Sequence, residues 1–447
     1  MQEKRKGRVT TVNAKEHVPK LFEGDSPSVW QRRRKMLYAA IAGYAMDGLD
    51  MLILSFVMAA ILKEFGLSFA QGGLIATYTL IGAVLGGYIF GIMADYIGRV
   101  KVFALTILTF SVFTGLCATA GSVTELNIYR FFAGLGIGGE FGIGMTLVAE
   151  TWPAARRARA TAWVAIGWQI GVISAALLAA WALPLFGWRG AFLIGALPAV
   201  FAAWTRYGLP EPDIWVEKNR IKKELQARMA AGEVLSDKEA ASLEQASKFP
   251  LLHLFRDGRT AVTTLGLTIM TSVQNFGYYG IMIWLPTILM QKHGLTLNKT
   301  TAWMVVTITG GMVGMYVFGQ IADRIGRRPA YISFYLLWAA TVYTYANLSD
   351  PTHLLIGGFV LGLCCSAMMG GYGAVLSENF PTEARSTAQN FIFNTGRAVG
   401  GFAPVIIGGL AVQYSLTGAI ALLSFVFLGA AVNVFFLIPE SRGKELT

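Results

Sequence analysis

Gly91-Ile-Met-Ala-Asp95-Tyr-Ile-Gly98-Arg99 is a stretch of sequence that this chain carries twice. It returns 228 positions later as Gly319-Gln-Ile-Ala-Asp323-Arg-Ile-Gly326-Arg327. A second motif keeps the same offset, since Glu150-Thr-Trp-Pro153 returns as Glu378-Asn-Phe-Pro381. Motifs that recur at one fixed spacing indicate a chain built from two similar halves.

Both halves have the composition of a protein that lies in a membrane. Hydrophobic residues make up 54% of the chain and charged residues only 14%, whereas a soluble domain carries about 25% charged residues. The mean hydropathy is +0.53, and apolar stretches of about 20 residues, long enough to cross a bilayer as a helix, recur throughout. We predict an all-α integral membrane protein with twelve spans in two pseudo-symmetric six-helix bundles, at approximately 37–62, 72–94, 102–121, 125–149, 160–183, 189–207, 261–290, 300–322, 329–347, 353–377, 386–412 and 416–438.

These spans divide the chain into five segments. They are a cytoplasmic N-terminal tail at 1–35, a first bundle at 36–207, a cytoplasmic linker at 208–259, a second bundle at 260–438 and a cytoplasmic tail at 439–447. Within the linker, Ile221–Ala231 and Asp237–Ala246 have the pattern of exposed or interfacial helices. A tether between the bundles is the simplest role for the linker, and a regulatory docking site is the alternative.

The net charge of +11 raises the question of a nucleic-acid partner. If the N-terminus lies inside, about 31 of the 37 Lys and Arg residues fall on the cytoplasmic side, about four lie outside, and Arg130 and Arg397 lie within spans. This is the positive-inside bias, which places both termini in the cytoplasm. We therefore expect a multi-pass protein of a bacterial inner membrane, surrounded by lipid, with no nucleic-acid partner.

Several kinds of site are not expected from this sequence. Cys117, Cys364 and Cys365 fall inside predicted spans, where they serve as small packing residues. The basic opening segment has no apolar core of a signal peptide, and no phosphate-binding Gly-x-x-x-x-Gly-Lys-Ser/Thr loop occurs. The four histidines are scattered over termini and loops, so we predict no metal site. We also expect no cofactor and no enzymatic activity.

The repeated motif points to a known family. Gly-x-x-x-Asp-x-x-Gly-Arg after the second and eighth spans resembles the signature loop of the major facilitator superfamily. Arg130-Phe-Phe-Ala-Gly-Leu-Gly-Ile-Gly-Gly-Glu140 is similar to the fourth-span motif of that superfamily. The resemblance covers nearly the whole chain, and it implies a transporter whose two bundles rock about a central site, as the internal repeat also indicates.

The repeated loops predict a cytoplasmic latch between the bundles. Asp95 and Asp323 lie at cytoplasmic helix ends, where a carboxylate can pair with an arginine or with the N-terminus of a nearby helix. Tyr96 occupies a position that is basic in the second copy, so the first latch is expected to be less charged. Static charge at the membrane surface is the alternative. The predicted latch residues are Asp95, Arg99, Glu150, Arg157, Asp323, Arg327, Glu378 and Arg385.

Four charged residues inside the first bundle are candidates for proton coupling. Asp47 and Asp50 lie near the bilayer midplane and project from neighbouring points of one helix face. Two carboxylates so placed cannot both carry charge cheaply, so we expect one to hold a proton. Glu140, in a glycine-rich part of the fourth span, is a further candidate for carrying the proton. Arg130 is the expected partner of Asp50, and a static salt bridge is the alternative.

The second bundle supplies the predicted anion site. Arg397 lies near the midplane of the eleventh span, and a guanidinium binds a carboxylate through two parallel hydrogen bonds. Asn390 and Asn394 precede it on the same side of the helix. Pairing of Arg397 with Asp47 or Asp50 is the alternative. Polar and aromatic residues at mid-span complete the predicted substrate site, and they are Gln169, Gln274, Asn275, Tyr278, Tyr279 and Tyr372.

The predicted function follows from these two sites. Asp47-Gly-Leu-Asp50 is similar to a motif of the aromatic-acid and sialate proton symporters, and Asn275-Phe-Gly-Tyr278 resembles nicotinate-type carriers. These groups share proton-coupled uptake of a carboxylate, so we predict symport of a small organic anion with protons by a monomeric carrier. A proton-coupled drug or product exporter and a sugar-type carrier are alternatives, and a membrane sensor that no longer transports is another.

Overall fold

The structure is a computed structural model, and it describes residues 27–67, 69–197, 208–285, 288–289 and 297–446. Helices form the regular structure of these residues. The first half contains five helices, which are α1 (Pro27–Phe65), α2 (Phe69–Ile97), α3 (Arg99–Cys117), α4 (Val123–Thr151) and α5 (Arg157–Ile194). Gly187 interrupts α5 with a φ of 63° and so separates the fifth predicted span from the sixth. The predicted sixth span continues into residues 198–207, which lie outside the described residues.

The linker and the second half follow. The linker contains α6 (Asp213–Ala230) and α7 (Asp237–Ser247), and the second half contains α8 (Gly258–Met282), α9 (Leu297–Ile325), α10 (Arg327–Ala346), α11 (Pro351–Ala367), α12 (Met369–Asn379), α13 (Arg385–Gly400), α14 (Ala403–Ala421) and α15 (Leu423–Leu437). The tenth predicted span consists of two helices that meet at Met368. Ser415, with a φ of 63°, separates the last two spans.

Nine stretches of the described chain are long and apolar enough to cross a membrane. Two further predicted spans, the seventh and the ninth, are less apolar than these nine stretches, because α8 is rich in threonine and α10 is rich in tyrosine. Both are nevertheless long helices, and a tyrosine ring is apolar over most of its surface. Most of the sixth span lies outside the described residues.

The two halves repeat each other in backbone detail. Gly98, with a φ of 123°, joins α2 to α3, and Gly326, with a φ of 111°, joins α9 to α10. Both conformations are ones that glycine adopts readily. Gly86 lies against the backbone of Leu135 in the first half, and Gly314 lies against that of Leu363 in the second. The repeat therefore extends from the loop motifs to the closest helix crossings, where small residues let backbones approach.

The halves meet where α13 packs against α2 and α4, and where α5 packs against α9 and α12. The linker helices lie at one end of this interface, which we call the linker end. Arg32 pairs with Asp213 at 2.7 Å, and the Trp215 indole donates to the Asp95 carbonyl at 3.1 Å. The first linker helix begins at Asp213 instead of Ile221, because Pro212 precedes it and Asp213 is favourable in a first turn. The second, Asp237–Ser247, begins in a capping box of Ser236 and Glu239.

Candidate functional site

Arg397 lies at the centre of the interface between the halves. Its side chain projects from α13, and the residue is only 2% exposed. The guanidinium carbon lies 5.7 Å from the ring centroid of Trp168 and 5.3 Å from that of Phe393. Its Nε has no hydrogen-bond partner, and it forms no ion pair with any carboxylate in the described part of the chain. A permanent cation held against rings in this way is available to an anionic ligand.

Aromatic residues from both halves surround this arginine. The Tyr44 ring lies 5.4 Å from that of Trp168, and Tyr44 and Tyr279 are close enough to interact electrostatically with Arg397. Trp168 and Gln169, from the first half, lie within hydrogen-bonding reach of the Tyr278 hydroxyl, from the second. The structure thus brings four of the predicted residues together around one site, and they are Arg397, Gln169, Tyr278 and Tyr279.

The two aspartates of α1 have different surroundings. Asp47 is fully buried, and neither of its carboxylate oxygens has a hydrogen-bond partner among the described residues. Asp50 pairs with Arg130 at 3.3 Å and accepts a hydrogen bond from Thr114. The same arginine donates from Nε to the Thr79 hydroxyl at 3.2 Å. The Asp50 carboxylate is therefore held by an ion pair, and the Asp47 carboxylate is available to bind a proton or a ligand.

Glu140 lies inside the first half, among α1, α3 and α4. One of its carboxylate oxygens accepts a hydrogen bond from the Thr106 hydroxyl, and the other has no hydrogen-bond partner in the part of the chain that the structure describes. A Cβ placed on Gly43 would lie 2.9 Å from this second oxygen, so the glycine leaves room for the carboxylate. Glu140 interacts electrostatically with Asp47, but it does not face the interface between the halves.

Asn390 and Asn394 lie on the linker side of Arg397, against the first half. Asn394 donates to the Gly138 carbonyl at 3.1 Å, and a Cβ on Gly91 would lie 2.8 Å from the Asn390 Cβ. Their Oδ1 atoms accept no hydrogen bond from any described residue. Both side chains therefore contribute to the contact between the halves, and their free carbonyl oxygens cannot donate to an anion.

The other predicted polar residues lie deeper in the second half. Gln274 donates to the Cys365 carbonyl at 3.1 Å, and Asn275 donates to the Thr271 carbonyl of its own helix at 2.9 Å. The Tyr372 ring lies 6.4 Å from that of Phe393, and the Tyr372 hydroxyl has no hydrogen-bond partner within the described ranges. Tyr372 is thus adjacent to the central site, whereas the two amides bond within the second half.

The first predicted latch lies at the linker end between α2 and α13. The Asp95 carboxylate accepts backbone N–H bonds from Ser386 at 3.1 Å and Thr387 at 2.8 Å. It thus caps the N-terminal turn of a helix in the other half. Glu150 accepts from Arg99 of its own half at 3.2 Å and from Arg385 of the other half at 2.6 Å.

The second latch repeats this pattern with the halves exchanged. Asp323 accepts backbone N–H bonds from Ala158 at 3.3 Å and Arg159 at 3.1 Å. Glu378 accepts from Arg327 of its own half at 2.8 Å and from Arg157 of the other half at 2.8 Å. All eight predicted latch residues therefore lie in two networks that join the halves.

Sequence reasoning missed two glutamates that support these latches. Glu211 accepts backbone N–H bonds from Val100 at 3.1 Å and Lys101 at 3.2 Å, and burial raises its pKa above the usual value while these bonds oppose that effect. Glu440 accepts the equivalent bonds from Arg327 at 2.9 Å and Arg328 at 3.0 Å. The signal was present, because Pro210-Glu211 and Pro439-Glu440 recur almost at the offset of the other motifs.

The linker and the tail each cover one latch. The Trp215 ring lies 5.9 Å from the Arg99 guanidinium carbon. At the second latch, Ser441 donates to Glu378 at 2.7 Å and Arg157 donates to the Lys444 carbonyl at 3.1 Å. The linker and the C-terminal tail therefore both pack against the latches at the linker end.

Comparison with known proteins agrees with this arrangement. The model of the Major Facilitator Superfamily matches residues 40–327 and 267–447. The chain belongs to this superfamily. Its members are transporters and not enzymes, so the predicted family and the twelve-helix membrane fold are confirmed.

Individual relatives cover almost the whole chain. A putative metabolite transport protein of Haemophilus influenzae is 48% identical over 92% of this chain and 97% of its own length. The cis,cis-muconate transport protein of Acinetobacter baylyi is 31% identical over 92% of this chain and 94% of its own length. The solved structure of the proton:xylose symporter XylE has a TM-score of 0.75 at 18% identity, covering 93% of this chain and 98% of its own, so it shares the fold.

Proposed function

We propose that this transporter imports a small organic anion together with protons across a bacterial inner membrane. The observation that carries the proposal is that the buried guanidinium of Arg397 forms no ion pair with a carboxylate of the described residues. A buried unpaired charge is costly, and a carboxylate substrate would compensate it. Arg397 lies across the interface from Asp47, with which it interacts electrostatically, and the Asp47 oxygens accept no hydrogen bond from the described residues.

The surroundings of Arg397 favour a planar acid. Rings of Tyr44, Trp168 and Phe393 lie around the guanidinium, and aromatic faces pack well against flat, partly apolar solutes. A relative at 31% identity is a muconate transport protein, and muconate is an unsaturated dicarboxylate. This relationship supports a carboxylate over a sugar, although XylE shares the fold.

The proposed orientation in the membrane rests on the placement of charge. We take the linker end as cytoplasmic, because about 31 of the 37 Lys and Arg residues would then lie inside. With both latches formed at that end, the central site would open to the outside. Substrate would bind at Arg397, a proton would bind at Asp47 or Glu140, and the latches would then break to release both inside.

The proposal of proton coupling rests on the different surroundings of Asp47 and Asp50 on α1. Asp50 forms an ion pair with Arg130 and accepts a hydrogen bond from Thr114, whereas Asp47 has no such partners among the described residues. An ionised carboxylate at this depth costs at least about 2.5–3.5 kcal/mol, so proton binding at Asp47 relieves that cost. Asp47 also interacts electrostatically with Arg397, which would link proton binding to substrate binding.

Two measurements test the proposed function. A thermal-shift screen of the purified protein against carboxylic acids, their amides and sugars identifies the ligand, because a ligand stabilises the state that binds it. Proteoliposomes with an inward proton gradient should then accumulate that acid, and a protonophore should abolish accumulation. Stabilisation by sugars alone would favour the sugar-type carrier. Proton-driven expulsion of apolar compounds would favour the exporter.

A further inference from the structure

Two phenylalanine rings from opposite halves stack between the central site and the latches. Phe141 on α4 and Phe393 on α13 have ring centroids 3.7 Å apart and planes inclined by 19°. The two residues are 1% and 2% exposed. Because the rings belong to different halves, their contact exists only while the halves are close at this level.

The position of the stack follows from the course of α13. Phe393 precedes Arg397 by about one helical turn, roughly 6 Å along the axis, and its ring lies 5.3 Å from the guanidinium. Arg385, in the first latch, lies roughly 12 Å further toward the linker end. A solute that leaves Arg397 for the linker end therefore meets the two rings before it meets the ion pairs.

Neighbouring side chains close the space around the stack. The Tyr44 ring lies 5.3 Å from Phe141, and the Tyr372 ring lies 6.4 Å from Phe393. On the linker side, Asn390 packs against Gly142. The stacked rings of Phe141 and Phe393 are apolar, unlike the latches, so they hinder the passage of water and ions between Arg397 and the latches.

We infer that Phe141 and Phe393 form the inner gate of the substrate site, a pair that must separate in every cycle for the acid to leave. The inference rests on the proposed function, because it assumes that the acid binds at Arg397 and exits at the linker end. It assigns a transport role to two residues that the charge pattern did not single out.

The test joins the two rings by a bridge that keeps them together. The full-length Phe141→Cys/Phe393→Cys variant is reconstituted, treated with an oxidant or a short bifunctional thiol reagent, and checked for the bridge by mass spectrometry. Counterflow exchange of labelled acid is measured before bridging, after bridging and after reduction. The parent treated in the same way controls for the three native cysteines, which are buried.

The chain offers a matched control inside one half. Trp338 on α10 and Phe427 on α15 stack with centroids 3.8 Å apart and planes inclined by 13°, but both belong to the second half. Bridging Trp338→Cys/Phe427→Cys should leave exchange near that of its reduced form. Bridging the gate pair should lower exchange to below about a tenth of its reduced form, with ligand binding retained and exchange restored by reduction.

Three outcomes would overturn the inference. They are a confirmed gate bridge with undiminished exchange, equal inhibition by the control bridge, and failure of every reagent to join the pair. If the double variant does not fold, Phe393→Cys alone is labelled with an impermeant maleimide from the linker side of inside-out vesicles. Labelling should be faster during turnover. A labelling rate that is the same with and without turnover would also overturn the inference.

The readouts separate this inference from the proposed function. Counterflow needs no proton gradient, so a carrier that exchanges the acid without accumulating it contradicts proton coupling and leaves the gate intact. If the parent carries no acid at all, hydrogen exchange of the latch helices replaces transport as the readout. A gate bridge should then still slow hydrogen exchange of the latch helices at the linker end. Hydrogen exchange that is the same with and without the bridge would refute the gate by itself.

Discussion

Arg385 of the second half donates a hydrogen bond of 2.6 Å to Glu150 of the first half, and both side chains are fully buried. The reciprocal pair, Arg157 of the first half and Glu378 of the second, has a distance of 2.8 Å. Arg385 follows Glu378 in sequence but is bonded to Glu150. Arg157 follows Glu150 in sequence but is bonded to Glu378. Buried charges of this kind are stable only when paired, which makes the crossed pairs a lock between the halves.

The first prediction concerns the energy of this lock. Glu150→Gln should destabilise the protein by about 3–5 kcal/mol, because it removes the carboxylate that pairs with the buried Arg385 and leaves Arg99 with Asp95 alone. Adding Arg385→Gln should recover part of this loss. Thermal unfolding in detergent measures both, with the exposed Glu244→Gln as a control that should change little. Independent, additive losses in the double variant would contradict the crossed pair.

The second prediction concerns the movement of the latch. Asp323→Asn removes the charge that caps α5 through Ala158 and Arg159, so the closed linker end should become less populated. Turnover should fall several-fold while substrate affinity changes little, as measured by uptake rates and ligand titration. Asp350→Asn, which alters an exposed helix cap at the start of α11, is the matched control. A large loss of affinity with normal turnover would argue against a latch.

The third prediction concerns proton coupling. Asp47→Asn and Glu140→Gln should abolish accumulation driven by a proton gradient but keep counterflow exchange, because a neutral amide cannot bind and release the proton. Asp50→Asn should in addition lose stability, since it leaves Arg130 buried without its partner. Uptake by proteoliposomes with and without the gradient measures this. If all three variants concentrate the acid like the parent, the coupling groups lie elsewhere.

Much of the architecture could be predicted because it repeats along the sequence. The offset of 228 residues placed Asp95 and Asp323 at equivalent helix ends, and the structure puts Gly98 and Gly326 at equivalent turns. Local spacing also put Asn390 and Asn394 on the Arg397 side of α13. What local spacing cannot give is the partner across the interface, so the packing of these amides against the first half was not foreseen.

The remaining features depend on contacts between distant segments. Trp215 lies in the segment predicted as the linker, and its indole donates to the backbone carbonyl of Asp95 in the first bundle. The tail residue Ser441 bonds Glu378, and Phe141 meets Phe393 only because α4 and α13 cross. The residue pattern of a single helix does not predict these contacts between distant segments, because they form only when whole helices pack together.

The fourth prediction concerns recognition of the carboxylate. Arg397→Gln should weaken binding of the acid by more than tenfold, since losing a charge-assisted contact at a buried site costs roughly 2–5 kcal/mol. Arg397→Lys should fail as well, because an ammonium cannot reproduce the planar fork. Titration of the acid against purified variants measures both. Arg189→Gln, at an exposed pair with Glu64, is the control that should bind normally.

The most direct test of the account compares the acid with its own amide in the parent and in Arg397→Gln. Affinities of both compounds are measured on the same preparations, so that folding and pocket shape are shared. If Arg397 holds the carboxylate, the parent binds the acid and rejects the amide, and Arg397→Gln loses most of that discrimination. A folded Arg397→Gln variant that binds the acid normally and still rejects the amide would contradict the account and place the carboxylate elsewhere, with Arg130 the next candidate.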